Sequence, residues 1–289
     1  MTALPAAEAA LFGILTLFVA CFGACLGSFL NVCIYRIPRE ESVISPGSHC
    51  PACNTPIHWY HNIPVLSYLA LRGRCAACGQ HFTARYGLVE LLTAGLFLLA
   101  WFKLDFGAGT PLGLIPVTDW KLIPVYWLVI MGLVLGSFVD FEHMIIPDRV
   151  TLGGMLTGVL LSAAVPSLHG RETHLAGLID GLIGCAVGFG SLWIVGEIGR
   201  LIFRKEAMGF GDVKLMGAIG AYFGWPAIIF TIMAASLAGS IVGVALLTTG
   251  RKQLQSRIPF GPYLALGALV WMFWGAAWWQ WYLELMLRR

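Results

Sequence analysis

Apolar runs, each long enough to cross a lipid bilayer, follow one another along almost the whole chain and are interrupted at length only once. Hydrophobic residues make up 58% and charged residues 11% of the sequence, against about 25% charged in a soluble domain, and the mean hydropathy is +0.80. In hydrocarbon every backbone N–H and C=O must find its partner inside the protein, which leaves helices and closed barrels. The runs here are continuous rather than alternating, which excludes a barrel. An all-α integral membrane protein is therefore expected. Spans of about 20 apolar residues are read at 11–34, 87–102, 121–139, 150–166, 176–203, 213–223, 227–248 and 263–287, eight helices in all. The break between the sixth and seventh is Gly224-Trp225-Pro226, a turn signal. In the first span, Gly23 and Gly27 stand four residues apart among small neighbours, the spacing that lets two helices approach closely. The first ten residues carry Glu8 and no Lys or Arg, unlike a secretory leader, so the first span is expected to remain in the mature protein.

Orientation follows from the basic residues, which favour the cytoplasmic side. If the spans alternate, one side holds thirteen: Arg36, Arg39, Arg72, Arg74, Arg85, Arg149, Arg200, Arg204, Lys205, Lys214, Arg251, Lys252 and Arg257. The other holds five, Lys103, Lys121, Arg171, Arg288 and Arg289. The long polar segment 35–86 is thereby expected in the cytoplasm and the N-terminus outside it. A net charge of +3 gives no reason to expect nucleic acid as a partner.

Within this frame two carboxylates stand out. Asp212 lies in Gly209-Phe210-Gly211-Asp212-Val213-Lys214, where one apolar run gives way to the next. Gly209 and Gly211 would let the backbone turn sharply and come close to a neighbour. Asp140, in Phe138-Val139-Asp140-Phe141-Glu142-His143, also ends an apolar run. Either Asp alone reads as a helix-end cap facing water. Together they are expected on the same side of the membrane at similar depth, because two spans separate them. A pair of ionisable groups at the edge of the bilayer reads as a site for acid–base chemistry. Asp148, after Ile146-Pro147, is the rival to Asp140 and is expected to N-cap the next helix. Glu90 and Glu197 are expected to orient a loop or pair with a basic residue, and Asp180 is expected to be structural.

The polar segment carries Cys50-Pro51-Ala52-Cys53 and Cys75-Ala76-Ala77-Cys78-Gly79. Two-residue spacing brings both thiolates of a knuckle to one tetrahedral zinc, and a reducing compartment favours metal over disulfides. Four thiolates leave no open position, so the zinc at Cys50, Cys53, Cys75 and Cys78 is expected to be structural. Gly79 suits a left-handed turn after the second knuckle. Cys21, Cys25, Cys33 and Cys185 read as small buried apolar residues. There is no H-E-x-x-H and no G-x-S-x-G.

Taken in order, these residues resemble the type IV prepilin peptidases, bifunctional leader peptidase/N-methyltransferases with a GxGD aspartyl protease motif. The resemblance runs through Gly27-Ser28-Phe29-Leu30-Asn31-Val32 with Arg36 and Pro38, the four cysteines, Asn62-Ile63-Pro64 with Ser67-Tyr68, and Arg85-Tyr86 with Glu90. It continues with Asp140 ahead of Ile146-Pro147-Asp148, Gly209–Asp212, and Pro259-Phe260-Gly261-Pro262-Tyr263. Gly87 departs from the family pattern, which has Pro there. The resemblance implies catalytic aspartates at Asp140 and Asp212. It implies removal of a short basic leader from prepilins and from the pseudopilins of type II secretion, at the cytoplasmic face of a bacterial inner membrane. It also implies methylation of the new N-terminal amine from S-adenosylmethionine. No glycine fingerprint for a nucleoside is present, and no residue is assigned to that donor. The expected organisation is a first membrane helix at 1–34, a cytoplasmic zinc-binding segment at 35–86 and a polytopic membrane peptidase domain at 87–289. Two other readings use the same carboxylates: an intramembrane-cleaving protease of the presenilin type, which shares GxGD, and a proton-coupled transporter with the aspartates as relay groups.

Overall fold

A computed structural model describes residues 6–105, 115–116, 120–204, 208–249 and 259–287. Met1 to Pro5 of the N-terminal reading, and Lys205, Arg251, Lys252, Arg257, Arg288 and Arg289 of the charge count, lie outside the described residues. The helices are α1 (Ala6–Arg36), α2 (Leu66–Ala70), α3 (Arg85–Lys103), α4 (Leu122–His143), α5 (Asp148–Ala164), α6 (His174–Phe203), α7 (Phe210–Thr248) and α8 (Gly261–Leu287). Among the described residues the only strands are a two-residue parallel pair, Leu104–Asp105 with Ile115–Pro116. Each of the eight apolar runs read from the sequence is helical to within two residues. Five helices, α1, α3, α4, α6 and α7, are long and apolar enough to cross a membrane, and α8 contributes a shorter apolar stretch, Gly261–Gly275. Leu17, Phe18, Leu156, Leu182, Ile194, Met233 and Leu237 are all exposed, as side chains that face lipid must be. The chain is a multi-pass membrane protein.

The chain divides into two compact units, residues 1–135 and 136–289. In the first, α1 packs along α3. A Cβ on Gly23 would stand 2.9 Å from Ala94 Cα, and one on Gly27 2.7 Å from Glu90 Cα. The four-residue glycine spacing is thus the contact line it resembled. Leu30, Ile34, Val89, Thr93 and Phe97 are buried around it, Phe97 stacks on Trp127, and Trp101 Nε1 donates to Thr16 Oγ1. Cys33 belongs to this interior, but Cys21 and Cys25 are exposed. They sit on the turns of α1 that face away from α3, so the expectation that they are buried is corrected.

The second unit is organised by glycines on α6. Gly177, Gly181, Gly184 and Gly188 are all buried and recur at intervals of three or four residues, so they form one stripe. Gly184 faces Gly220 of α7 backbone to backbone: a Cβ on either would run into the other's carbonyl oxygen. Gly181 lies against Ser162 of α5, whose hydroxyl donates to the Ala221 carbonyl at 2.8 Å. Thr157 and Tyr222 join α5 to α7 by a second hydrogen bond of 2.7 Å. Helix α7 is broken at Gly224, whose φ of 75° and ψ of 176° no helix contains, with Pro226 two residues on. This is the break expected at Gly224-Trp225-Pro226.

The glycine contact generates a paired prediction. Gly184→Ala inserts a methyl group into backbone that no rotamer change can clear, so it is expected to destabilise the second unit by about 1–3 kcal/mol or more. Gly190→Ala, on the same helix with nothing within 4 Å of the new Cβ, is expected to be neutral or to stabilise, since Ala favours a helix over Gly by about 1 kcal/mol. Thermal unfolding of the two variants in detergent measures the contrast. Equal effects would mean that the α6–α7 backbone contact is not made.

Candidate active site and metal centre

Asp140 lies in the last turn of α4, and the chain leaves that helix at once. Met144 donates its N–H to the Asp140 carbonyl at 2.9 Å and takes a left-handed φ of 56°, which closes the turn. The short link to Pro147 lays Ile146 inward, where it is buried. Asp212 sits in the first turn of α7. Gly209 is the N-cap, with extended dihedrals, and its carbonyl accepts the Asp212 N–H at 3.1 Å. Both carboxyl residues are buried, Asp140 to 5% exposure and Asp212 to 9%, and they are near enough to interact electrostatically. They therefore do not behave as water-facing caps.

A third helix end completes the arrangement. Gly261, the first residue of α8, donates its backbone N–H to Asp140 Oδ2 at 3.1 Å. Only glycine fits there, since a Cβ would lie 2.7 Å from that oxygen and 2.9 Å from Ile146 Cδ1. Ile146 also underlies Gly211, where a Cβ would approach it to 3.3 Å, and a Cβ on Gly209 would approach Asp212 Oδ2 to 3.0 Å. Gly209, Gly211 and Gly261 thus leave the space above the two carboxyls to backbone and to whatever enters. Gly261 was visible in the sequence only as part of a family motif. No residue-type signal marks a backbone N–H as a donor. Ile146 was likewise legible only as the residue before a proline.

Asp148 corrects an expectation. The N-cap of α5 is Pro147, with no side-chain capping bond, and Asp148 is the first helical residue. Its carboxylate accepts from Lys214 Nζ at 2.6 Å and from Thr151 Oγ1 at 3.4 Å. The Lys214 bond holds its carboxyl below the usual carboxylate range, and its side chain is 62% exposed. An exposed, charge-paired carboxylate is poorly suited to share a proton with Asp140. The other acids behave as read. Glu197 pairs with Arg200 at 2.7 Å, Asp180 with Arg171 at 2.6 Å, and Glu90 accepts the Val65 backbone N–H at 2.8 Å.

In the first unit the four cysteines come together. All four Sγ atoms of Cys50, Cys53, Cys75 and Cys78 lie within 4.8 Å of one another. Sγ of Cys50 is 3.9 Å from that of Cys78, and Sγ of Cys53 is 3.9 Å from that of Cys75. Sulfurs around a tetrahedral ion at a Zn–S bond of about 2.3 Å are roughly 3.8 Å apart, so the cluster has the size to hold a metal ion. Each knuckle is built the same way. Cys50 N–H bonds to Thr55 O and Asn54 N–H to Cys50 O; Cys75 N–H bonds to Gln80 O and Gly79 N–H to Cys75 O. Asn54 and Gly79 both take left-handed dihedrals directly after the second cysteine. Gly79 was foreseen; Asn54, the other residue type that tolerates that conformation, was not. The Thr55 hydroxyl and then its backbone draw the Cys53 thiol down to about 6, and the backbone of Cys78 and Ala77 lowers Cys75. Arg36, at the end of α1, donates to the carbonyls of Ser42, Pro46 and Gly47 and pins the entry to this segment.

Comparison with known proteins agrees with both halves. Residues 21–104 match the Bacterial Peptidase A24 N-terminal domain, and residues 127–244 match the Type IV leader peptidase family. A protein named prepilin leader peptidase/N-methyltransferase from Aeromonas salmonicida is 35% identical over 92% of this chain and 93% of its own. One of the same name from Pseudomonas aeruginosa is 33% identical, over 89% and 91%. One from Myxococcus xanthus is 39% identical over 81% of this chain but 64% of its own length, so this chain spans about two-thirds of that relative. No solved structure matches the chain. On the two family matches, which follow each other along the sequence, and on relatives similar over nearly their full length, this chain belongs to the type IV leader peptidase family.

Proposed function

We propose that the chain is a membrane aspartyl endopeptidase that removes the short basic leader from type IV prepilins and pseudopilins and N-methylates the residue so exposed. The observation that carries the first activity is the pair of buried carboxyls, Asp140 and Asp212, brought together from the ends of α4 and α7. Two adjacent carboxyl groups hold one proton between them. The ionised one takes a proton from water as the water attacks the scissile carbonyl, and the protonated one donates to the carbonyl oxygen. The proton belongs to the pair, so neither role is fixed to one residue. The Gly261 N–H keeps Asp140 Oδ2 in place. The bare backbone at Gly209 and Gly211 admits an extended peptide. Both aspartates stand at helix ends, which suits a substrate whose leader stays in water while its apolar segment lies in lipid. It does not suit a relay at mid-bilayer or a cut inside the membrane. The proposed placement is the inner membrane with this site on the cytoplasmic side, following the basic-residue bias.

The ion proposed for the cysteine cluster is zinc, because four thiolates at tetrahedral spacing select it and leave it no open position. Its role is to hold the segment together, since so short a stretch has little core of its own. The methyl donor is proposed to be S-adenosylmethionine, on family grounds. The cavity of about 160 Å³ in the first unit is well below the 300–1,000 Å³ of sites that enclose a ligand of that size. The described residues there do not fit a whole nucleoside donor, and no step is assigned through it.

Asp140→Asn and Asp212→Asn are each expected to lower leader cleavage by about a thousandfold or more, and the double variant to cost little beyond either, because the two act as a unit. Asp148→Asn is expected to keep most of the activity, having lost only an exposed ion pair. Mass spectrometry of a prepilin incubated with each purified variant measures all three. An active Asp140→Asn protein beside an inactive Asp148→Asn protein would reassign the first aspartate.

Metal analysis is expected to find one zinc per chain, and Cys53→Ser to weaken its retention against a chelator and expose 35–86 to protease. Unchanged protease resistance after zinc loss would remove the structural role. Acid is also expected to release the ion, since thiolates must be protonated to let go, and retention against a chelator is expected to fall as the pH is lowered.

A further inference from the structure

A second polar site lies in the first unit, among residues that the peptidase mechanism does not use. A cavity of about 160 Å³ opens between the end of α1, the start of α3 and the loop segment around α2. Asn31 and Glu90 are both on its wall and both buried, to 3% and 7% exposure. Asn31 Nδ2 donates to the Tyr86 carbonyl at 3.0 Å, and its Oδ1 has no partner. Glu90 accepts from the Val65 N–H at 2.8 Å. No cation pairs with Glu90 among the described residues. A buried carboxyl group with no cation beside it, next to a buried acceptor with no donor, is an arrangement that a positively charged guest rich in N–H would complete.

The remainder of the wall favours the same kind of guest. Tyr68, Phe82 and Tyr86 line it, and aromatic faces attract cations. The Tyr68 ring is fixed in place by two glycines: a Cβ would meet it at 2.9 Å on Gly73 and at 3.3 Å on Gly87. Of the two arginines on the wall, Arg36 is turned to the carbonyls of residues 42, 46 and 47, and Arg74 is exposed. Neither neutralises Glu90. The volume suits one residue-sized group rather than a nucleoside.

We propose that this cavity receives the terminal amine of a peptide chain, with Glu90 as its counter-ion, Asn31 Oδ1 as an acceptor and the aromatic rings around it. Resting on the function proposed above, it is the place where the freshly exposed N-terminus is held for methylation, apart from the aspartates that expose it. Positive charge on the methyl donor itself is the other chemistry that would meet Glu90, and the test separates the two.

The test is calorimetric titration of the full chain in detergent with three probes. These are a short apolar peptide with a free amino terminus, the same peptide N-acetylated, and S-adenosylmethionine alone. The free amine is expected to bind roughly tenfold or more tighter than its acetylated twin, as hydrogen bonds to a charged group allow. Glu90→Gln, which keeps an acceptor for Val65, is expected to erase that preference, with metal content and melting temperature checking the fold. Asn31→Ala is the second variant and is expected to reduce it. Equal binding of the two peptides to the native chain overturns the proposal, whatever the variants do. So does binding of S-adenosylmethionine that depends on Glu90 and displaces the peptide. Leader cleavage by the same preparation reports separately on the peptidase, so its absence would count against that activity and leave the amine preference to be judged by itself.

Discussion

Backbone-to-backbone contact between Gly184 and Gly220 sets how closely α6 and α7 approach, and the second unit depends on that distance. Lipid offers no hydrophobic force to press helices together, so packing and hydrogen bonds at small residues must do it. Ser162 and Thr157 then tie α5 to α7, and α7 is held along the length that ends at Gly209. The first turn of α7 carries Asp212, so a contact about two turns away helps to fix where that carboxyl stands. The same logic applies at α8, whose first N–H reaches Asp140 only because residue 261 has no side chain. Glycine thus acts at two levels, bringing helices together and clearing the space over the carboxyls.

The first unit solves a different problem. A segment of some fifty residues with few buried apolar side chains has to keep a shape beside a membrane. Four thiolates brought to tetrahedral spacing supply one constraint, and the Arg36 guanidinium, bonded to three carbonyls, supplies another. Arg36 lines the cavity that holds Asn31 and Glu90, and so do His49, Pro51 and Arg74, the chain neighbours of Cys50 and Cys75. An ion held by the four cysteines would matter in this way, by steadying residues of a site that it does not enter.

Much of this was legible in the sequence because the solvent left few choices. Apolar run length placed every long helix, since only helices satisfy their backbone in lipid. The Gly224 break, the Gly23/Gly27 contact and the cysteine cluster followed from residue types whose geometry is nearly obligatory. What stayed hidden depends on tertiary approach. Asp148 has the chemistry of a cap, yet Lys214 claims its carboxylate from another helix. Cys21 and Cys25 have the size of core residues, yet they lie exposed on α1. Gly261 and Ile146 shape the carboxyl pair through a backbone N–H and a methyl group, and neither announces itself by type.

The central proposition is that Asp140 and Asp212 work as one proton-sharing pair. Labelling with a small epoxide that esterifies carboxyl groups tests it directly, read by mass spectrometry of the intact chain and its peptides. A shared site predicts one adduct per chain, on Asp140 or on Asp212, with the other protected and cleavage lost in step with labelling. Chains carrying adducts on both aspartates, formed at independent rates, would contradict it.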